Sequence, residues 1–242
     1  MANWSDPRTG AANFAPTATR EGAYDEGLRS YMLSVYNRMA SAVLLTGIVA
    51  MAFAYSGAAA TVMQTPLAWV IMLAPLGFVF GLSFGANRMA TSTMSMVFWA
   101  FSIAMGLSLS TVFLQYTGTS IAGAFFATAA AFAGLSLYGY TTKRDLAPFG
   151  TFLIMGLVGL IVASLVNMFL QSGPMGLVIS VIGVLLFAGL TAYDTQKIKN
   201  IYFQVAGTDM AGKTAILGAL SLYLDFINMF LFILRLFGSS RD

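Results

Sequence analysis

The chain contains no cysteine and no histidine. Disulfides, thiolate nucleophiles and Cys/His zinc sites are therefore excluded. The imidazole that ordinarily responds to physiological pH is missing too, so any proton sensing must come from carboxylates in unusual surroundings. Charge is also scarce: 9% of the 242 residues are charged and 58% are hydrophobic, whereas a soluble domain carries about 25% charged residues. A surface built mainly for water is excluded, and the composition is that of an integral membrane protein. The net charge of +3 would hint at nucleic acid in a soluble protein. In this chain the orientation in a membrane accounts for it, and no nucleic-acid partner is expected.

What the sequence does hold is a series of long apolar runs. Residues 1–30 (MANWSDPRTGAANFAPTATREGAYDEGLRS) are polar and rich in Gly, Ala, Thr and Pro, which predicts a disordered cytoplasmic tail rather than a cleaved signal peptide. Residues 31–242 form the membrane domain. Seven apolar segments lie near 38–56, 67–85, 94–115, 119–139, 149–170, 175–205 and 214–237, each about the ~20 residues that cross ~30 Å of hydrocarbon. They are continuous rather than alternating, which predicts helices and an all-α fold. Pro66, Pro148 and Pro174 fall at segment starts, where a missing N–H does no harm. Pro75 lies inside the second segment and is expected to kink it.

The basic residues test that count. Arg8, Arg20, Arg29 and Arg38 precede or open the first segment. Arg88 follows the second, Lys143 and Arg144 the fourth, and Lys197, Lys199 and Lys213 flank the connection after the sixth. The other three connections hold no Lys or Arg. Seven helices with a cytoplasmic N-terminus satisfy the positive-inside rule at every loop, and shifting the count by one helix breaks the alternation. Small residues at intervals of four, such as Gly123, Ala127 and Ala131, have the spacing that lets membrane helices approach closely.

Two acidic residues interrupt the apolar runs: Asp194, in GLTAYDTQKIK, and Asp225, in SLYLDFINMF. They belong to consecutive helices joined by AGTDMAGK, residues 206–213. An antiparallel hairpin that pairs residue 205 with 214 brings Asp194 level with Asp225, each roughly 16 Å from the turn. Ser221, Asp225, Asn228 and Arg235 fall on one stripe of the last helix, and Ser180, Thr191 and Asp194 on a comparable stripe of the helix before it. A charge at mid-bilayer costs at least ~2.5–3.5 kcal/mol, so it needs a partner or a purpose. Two carboxylates in contact share a proton and titrate as one unit, and their oxygens also suit a hard cation such as Ca²⁺. Asp194 can alternatively be an interfacial residue beside Lys197 and Lys199. Asp225 can be a structural acceptor, and Arg88 a topogenic charge.

At these residues the chain resembles the Bax-inhibitor family of seven-helix membrane proteins, in its bacterial branch. The resemblance rests on YGYTTKRDL at 138–146, GLTAYDTQKIK at 189–199 and SLYLDFINMFLFILRLFG at 221–238, in the family's order. It implies a fold in which six helices surround a central C-terminal helix, and a pH-sensitive Ca²⁺ leak in the bacterial inner membrane. It further implies that Asp194 and Asp225 hydrogen-bond through a shared proton, and that Arg88 latches onto one of them in the closed state. Thr191, Ser221 and Asn228 are expected to support the pair, and Asp194 and Asp225 to make transient contact with the ion. Some bacterial relatives are instead linked to modulation of a membrane protease, which leaves a membrane-embedded regulator as the alternative.

No cofactor is expected beyond the transported Ca²⁺. The expected partners are membrane lipid, Ca²⁺ and protons, with a membrane protease under the alternative reading, and the chain is expected to be a monomer. Enzymatic activity is not expected. Intramembrane aspartyl proteases also use two aspartates on adjacent helices, but the motifs around Asp194 and Asp225 do not resemble theirs.

Overall fold

Hydrocarbon offers no water to satisfy backbone N–H and C=O groups, so each apolar run must close its hydrogen bonds within itself. The computed structural model, which describes residues 17–240 with side chains from residue 26 onward, follows that rule. In chain order the helices are α1 (Thr17–Tyr55), the single turn α2 (Ala58–Val62), α3 (Leu67–Gly85), α4 (Thr91–Gln115), α5 (Gly118–Thr141), α6 (Ala147–Leu170), α7 (Gly173–Val205) and α8 (Met210–Phe237). All but α2 are long and apolar enough to span a bilayer, which gives seven candidate spans among the described residues of an all-α, multi-pass membrane protein.

Local chemistry sets the helix starts. Thr117 caps α5 by accepting from Ser120 N at 3.3 Å, and Ser172 caps α7 by accepting from Met175 N at 3.4 Å. Pro148 and Pro174 occupy the first turns of α6 and α7, and α3 continues through Pro75. The span Leu67–Gly85 falls where it was expected, while α4 to α8 each begin one to four residues earlier than the apolar runs indicate.

The N-terminal segment differs more. Helix α1 begins at Thr17, inside the stretch expected to be a disordered tail, of which residues 1–16 lie outside the described residues. From Leu28 onward this helix buries Tyr31, Met32, Val35, Met39 and Ala42 on one face. Arg29, exposed, and Arg38, half-buried, break the apolar run at the two flanks of that face, so a reading by run length misses an amphipathic face of period 3.6.

Helix α8 packs on α7, α1, α5 and α4, whereas α3 packs mainly on α4 and α6 mainly on α7. Of the most apolar stretch of α8, 67% is buried, against 11% for α6. The last helix is therefore the most enclosed, with four principal neighbours among the other spans. The small-residue stripe on α5 also differs from expectation. Gly123, Ala127 and Ala131 are exposed, and the packed face is the adjacent one, Ala124, Thr128, Phe132, Ser136 and Gly139. Small residues line both faces of α5, so spacing alone does not give the phase. At Gly139 the close approach is real: a Cβ there would collide with the carbonyl oxygen of Ala192 on α7.

Candidate functional site: the acidic pair between α7 and α8

Helices α7 and α8 are joined by a tight turn in which Gly207 adopts φ +76°, a conformation that glycine takes without strain. Two contacts fix the register of the antiparallel pair. Ile198 lies against Gly218, with 3.1 Å to a Cβ placed there, and the ring of Phe232 lies against Gly183, at 2.6 Å by the same measure. Asp225 is thus level with Leu190 and Thr191, and Asp194 with Ser221 and Leu222. The aspartates differ in depth by about one helical turn, ~5 Å, with Asp194 nearer the loop. The expected equal depth assumed that α8 starts at residue 214; its start at Met210 shortens the turn and shifts the register.

Across the interface Asp225 nevertheless lies within the electrostatic reach of Asp194. Their surroundings are unequal. Asp225 is 5% exposed, and its Oδ2 is buried without a hydrogen-bond partner. Buried polar oxygens are almost always paired, and among the described residues this is the buried side-chain oxygen that is not. Asp194 is half-buried and feels the charge of Lys197, one turn further along α7. Together they form an inner carboxylate with no counter-ion among the described residues and an outer one beside a cation.

The predicted supporting residues are disposed as follows. Thr191 is buried and its hydroxyl donates to Phe187 O at 2.7 Å within its own helix. Asn228 Nδ2 likewise donates to Leu224 O at 2.8 Å, and Ser221 is half-buried. Ser180 donates to Gly176 O at 2.8 Å. Arg235 is exposed, with its guanidinium 5.8 Å from the Phe232 ring. Arg88 is exposed in the turn after α3, where its N–H bonds to Gly85 O. Among the described residues no ion pair joins it to either aspartate, so the expected latch contact is not made in this conformation.

Several residues that the sequence reading passed over hold the site in place. Gln196, two positions after Asp194, accepts from Leu146 N and donates to Arg144 O, both at 2.8 Å, and so clips the α5–α6 loop to α7. Lys199 Nζ donates to Tyr140 O at 2.8 Å and caps the C-terminal end of α5. On the other side of α8, Tyr223 shares a 2.7 Å hydrogen bond with Thr46 of α1, whose hydroxyl also lies 2.9 Å from Ser102 O of α4. The available signal was a lone hydroxyl in an apolar run, as in LLTGI around Thr46.

Comparison with known proteins agrees with this architecture. The family model described as inhibitor of apoptosis-promoting Bax1 matches residues 28–242. An uncharacterized protein of Rickettsia prowazekii is 47% identical over 228 residues, covering 93% of this chain and 96% of its own length. The Escherichia coli inner membrane protein YbhL is 46% identical over 219 residues, 89% of this chain and 94% of that protein. An uncharacterized protein of Caulobacter vibrioides is 43% identical over 252 residues, 98% of this chain and its full length.

Proposed function

The chain belongs to the Bax-inhibitor family of membrane proteins, and on that premise we propose that it is a pH-sensitive Ca²⁺ leak in a bacterial inner membrane, gated by Asp194 and Asp225. The observation that carries the reading is the buried, unpartnered Oδ2 of Asp225 within reach of the Asp194 carboxylate. A pair in this position shares one proton and responds to pH as a unit, which supplies a switch in a chain without histidine.

The same two residues are the groups a permeating cation would meet. Resident Ca²⁺ sites take six to eight oxygens. Among the described residues no cluster of three or more carboxylate, histidine or cysteine ligands exists. In this reading the two carboxylates meet a cation in passage, and Ca²⁺ is cargo. Arg88, exposed as it stands, would act as the latch in a closed conformation different from this one. The N-terminus lies on the cytoplasmic side in this reading, and no catalytic group is assigned.

The deciding experiment is Ca²⁺ entry into dye-loaded liposomes across a pH series, with wild type beside Asp225→Asn. Flux that depends on pH in wild type and loses that dependence in the variant is the expected result. Flux no greater than that of empty liposomes at every pH would overturn the leak and leave the membrane-embedded regulator of a protease as the reading to pursue.

A further inference from the structure

Helices α1 and α5 do not close on one another. Between them runs a groove of about 690 Å³, within the range of built ligand sites. It extends from Arg29 to Leu44 along α1 and from Tyr140 to Phe125 along α5, with Phe226 of α8 in its floor. Each wall is about 22 Å long, half of the 40–45 Å that a bilayer spans with its headgroups. The groove thus has the length of a single leaflet.

Its chemistry is graded along that length. The floor and far end are hydrocarbon, and the Phe226 ring is held 5.6 Å from both Phe125 and Phe132. At the near end stand Arg29 and Tyr140, with Tyr36 midway along the α1 wall. Lys199 Nζ, 5.0 Å from the Tyr140 ring, does not line the groove and donates to Tyr140 O. Water does not settle in an apolar channel with no polar partners. A peptide segment laid there would leave its backbone N–H and C=O groups unsatisfied. An acyl chain has no such groups, and a phosphate suits the cationic end.

We propose that this groove binds one anionic phospholipid of the leaflet on the Arg29 side, with an acyl chain along Phe132 and Phe226 and its phosphate at Arg29. The site stands independently of the Ca²⁺ reading, because neither aspartate lines it.

The test is native mass spectrometry of the full-length protein released from detergent, titrated with phosphatidylglycerol or with phosphatidylcholine of the same acyl chains. Wild type is expected to retain one phospholipid, with phosphatidylglycerol preferred. Arg29→Gln should reduce that preference about fivefold while keeping the acyl chain. Ala133→Trp, which fills the groove from the exposed face of α5, should abolish retention of both lipids. Ala40→Trp fills it from α1 and serves should the first variant fail to fold. Retention unchanged in a folded groove-filling variant would overturn the proposal. Removal of residues 2–16 should leave retention as it was. A gain of lipid on that removal would make the N-terminal segment the natural occupant and would equally overturn it.

Discussion

Thr46 of α1 and Tyr223 of α8 hold their hydroxyl oxygens 2.7 Å apart inside the bundle, and the same threonine reaches Ser102 O of α4. All three residues are buried. One hydroxyl thus ties the most enclosed helix to two neighbours, two residues from Asp225. The threonine has a single proton, which goes to the Ser102 carbonyl, so Tyr223 donates to Thr46.

That assignment makes the two ends of the bond unequal. Tyr223→Phe removes a donor and leaves Thr46 bonded to Ser102, at a cost of about 0.5–1.5 kcal/mol. Thr46→Val keeps the shape but strands the phenol, which should cost about 1–3 kcal/mol. The double variant, with both partners apolar, should be more stable than Thr46→Val alone. Thermal unfolding in detergent checks the order, and equal losses in the two single variants would refute the direction of the bond.

Glycines on α5 make a second contrast. A methyl group at Gly139 meets the Ala192 backbone oxygen, which cannot rotate away, so α5 and α7 must separate. Gly139→Ala should therefore destabilise by about 1–3 kcal/mol, as overpacking does. At Gly123 nothing lies within 4 Å of the same methyl, and Gly123→Ala should be neutral or slightly stabilising through helix propensity. Parallel melting curves of the two variants decide the matter. A large loss at Gly123 would mean that this face packs against something in the membrane.

These cases show where the sequence was legible. Run length gave seven spans because it follows from the thickness of hydrocarbon, a single physical constraint. Asp194 and Asp225 stood out because a carboxylate in an apolar run is costly. Register was not legible, since a four-residue change at the start of α8 shifts every level by a turn. Nor was the packed face of α5, where Gly123 and Ala124 are equally small neighbours. The Gln196 clip was invisible because its partners, Leu146 N and Arg144 O, are backbone groups that any residue would supply.

The unequal environments of Asp194 and Asp225 lead to the remaining prediction. If one proton is shared, the pair is a single titrating unit, and removing either carboxylate removes the response. Asp194→Asn and Asp225→Asn should each flatten the pH profile of Ca²⁺ flux, and the double variant should add nothing further. The basal flux need not match, because Asp225 is buried and unpaired while Asp194 sits beside Lys197. An amide at 225 neutralises the inner site, whereas an amide at 194 leaves Lys197 without its neighbour. Asp225→Asn should therefore have the larger effect on flux at every pH. Additive losses of pH dependence in the double variant would show two independent groups and would sink the shared proton.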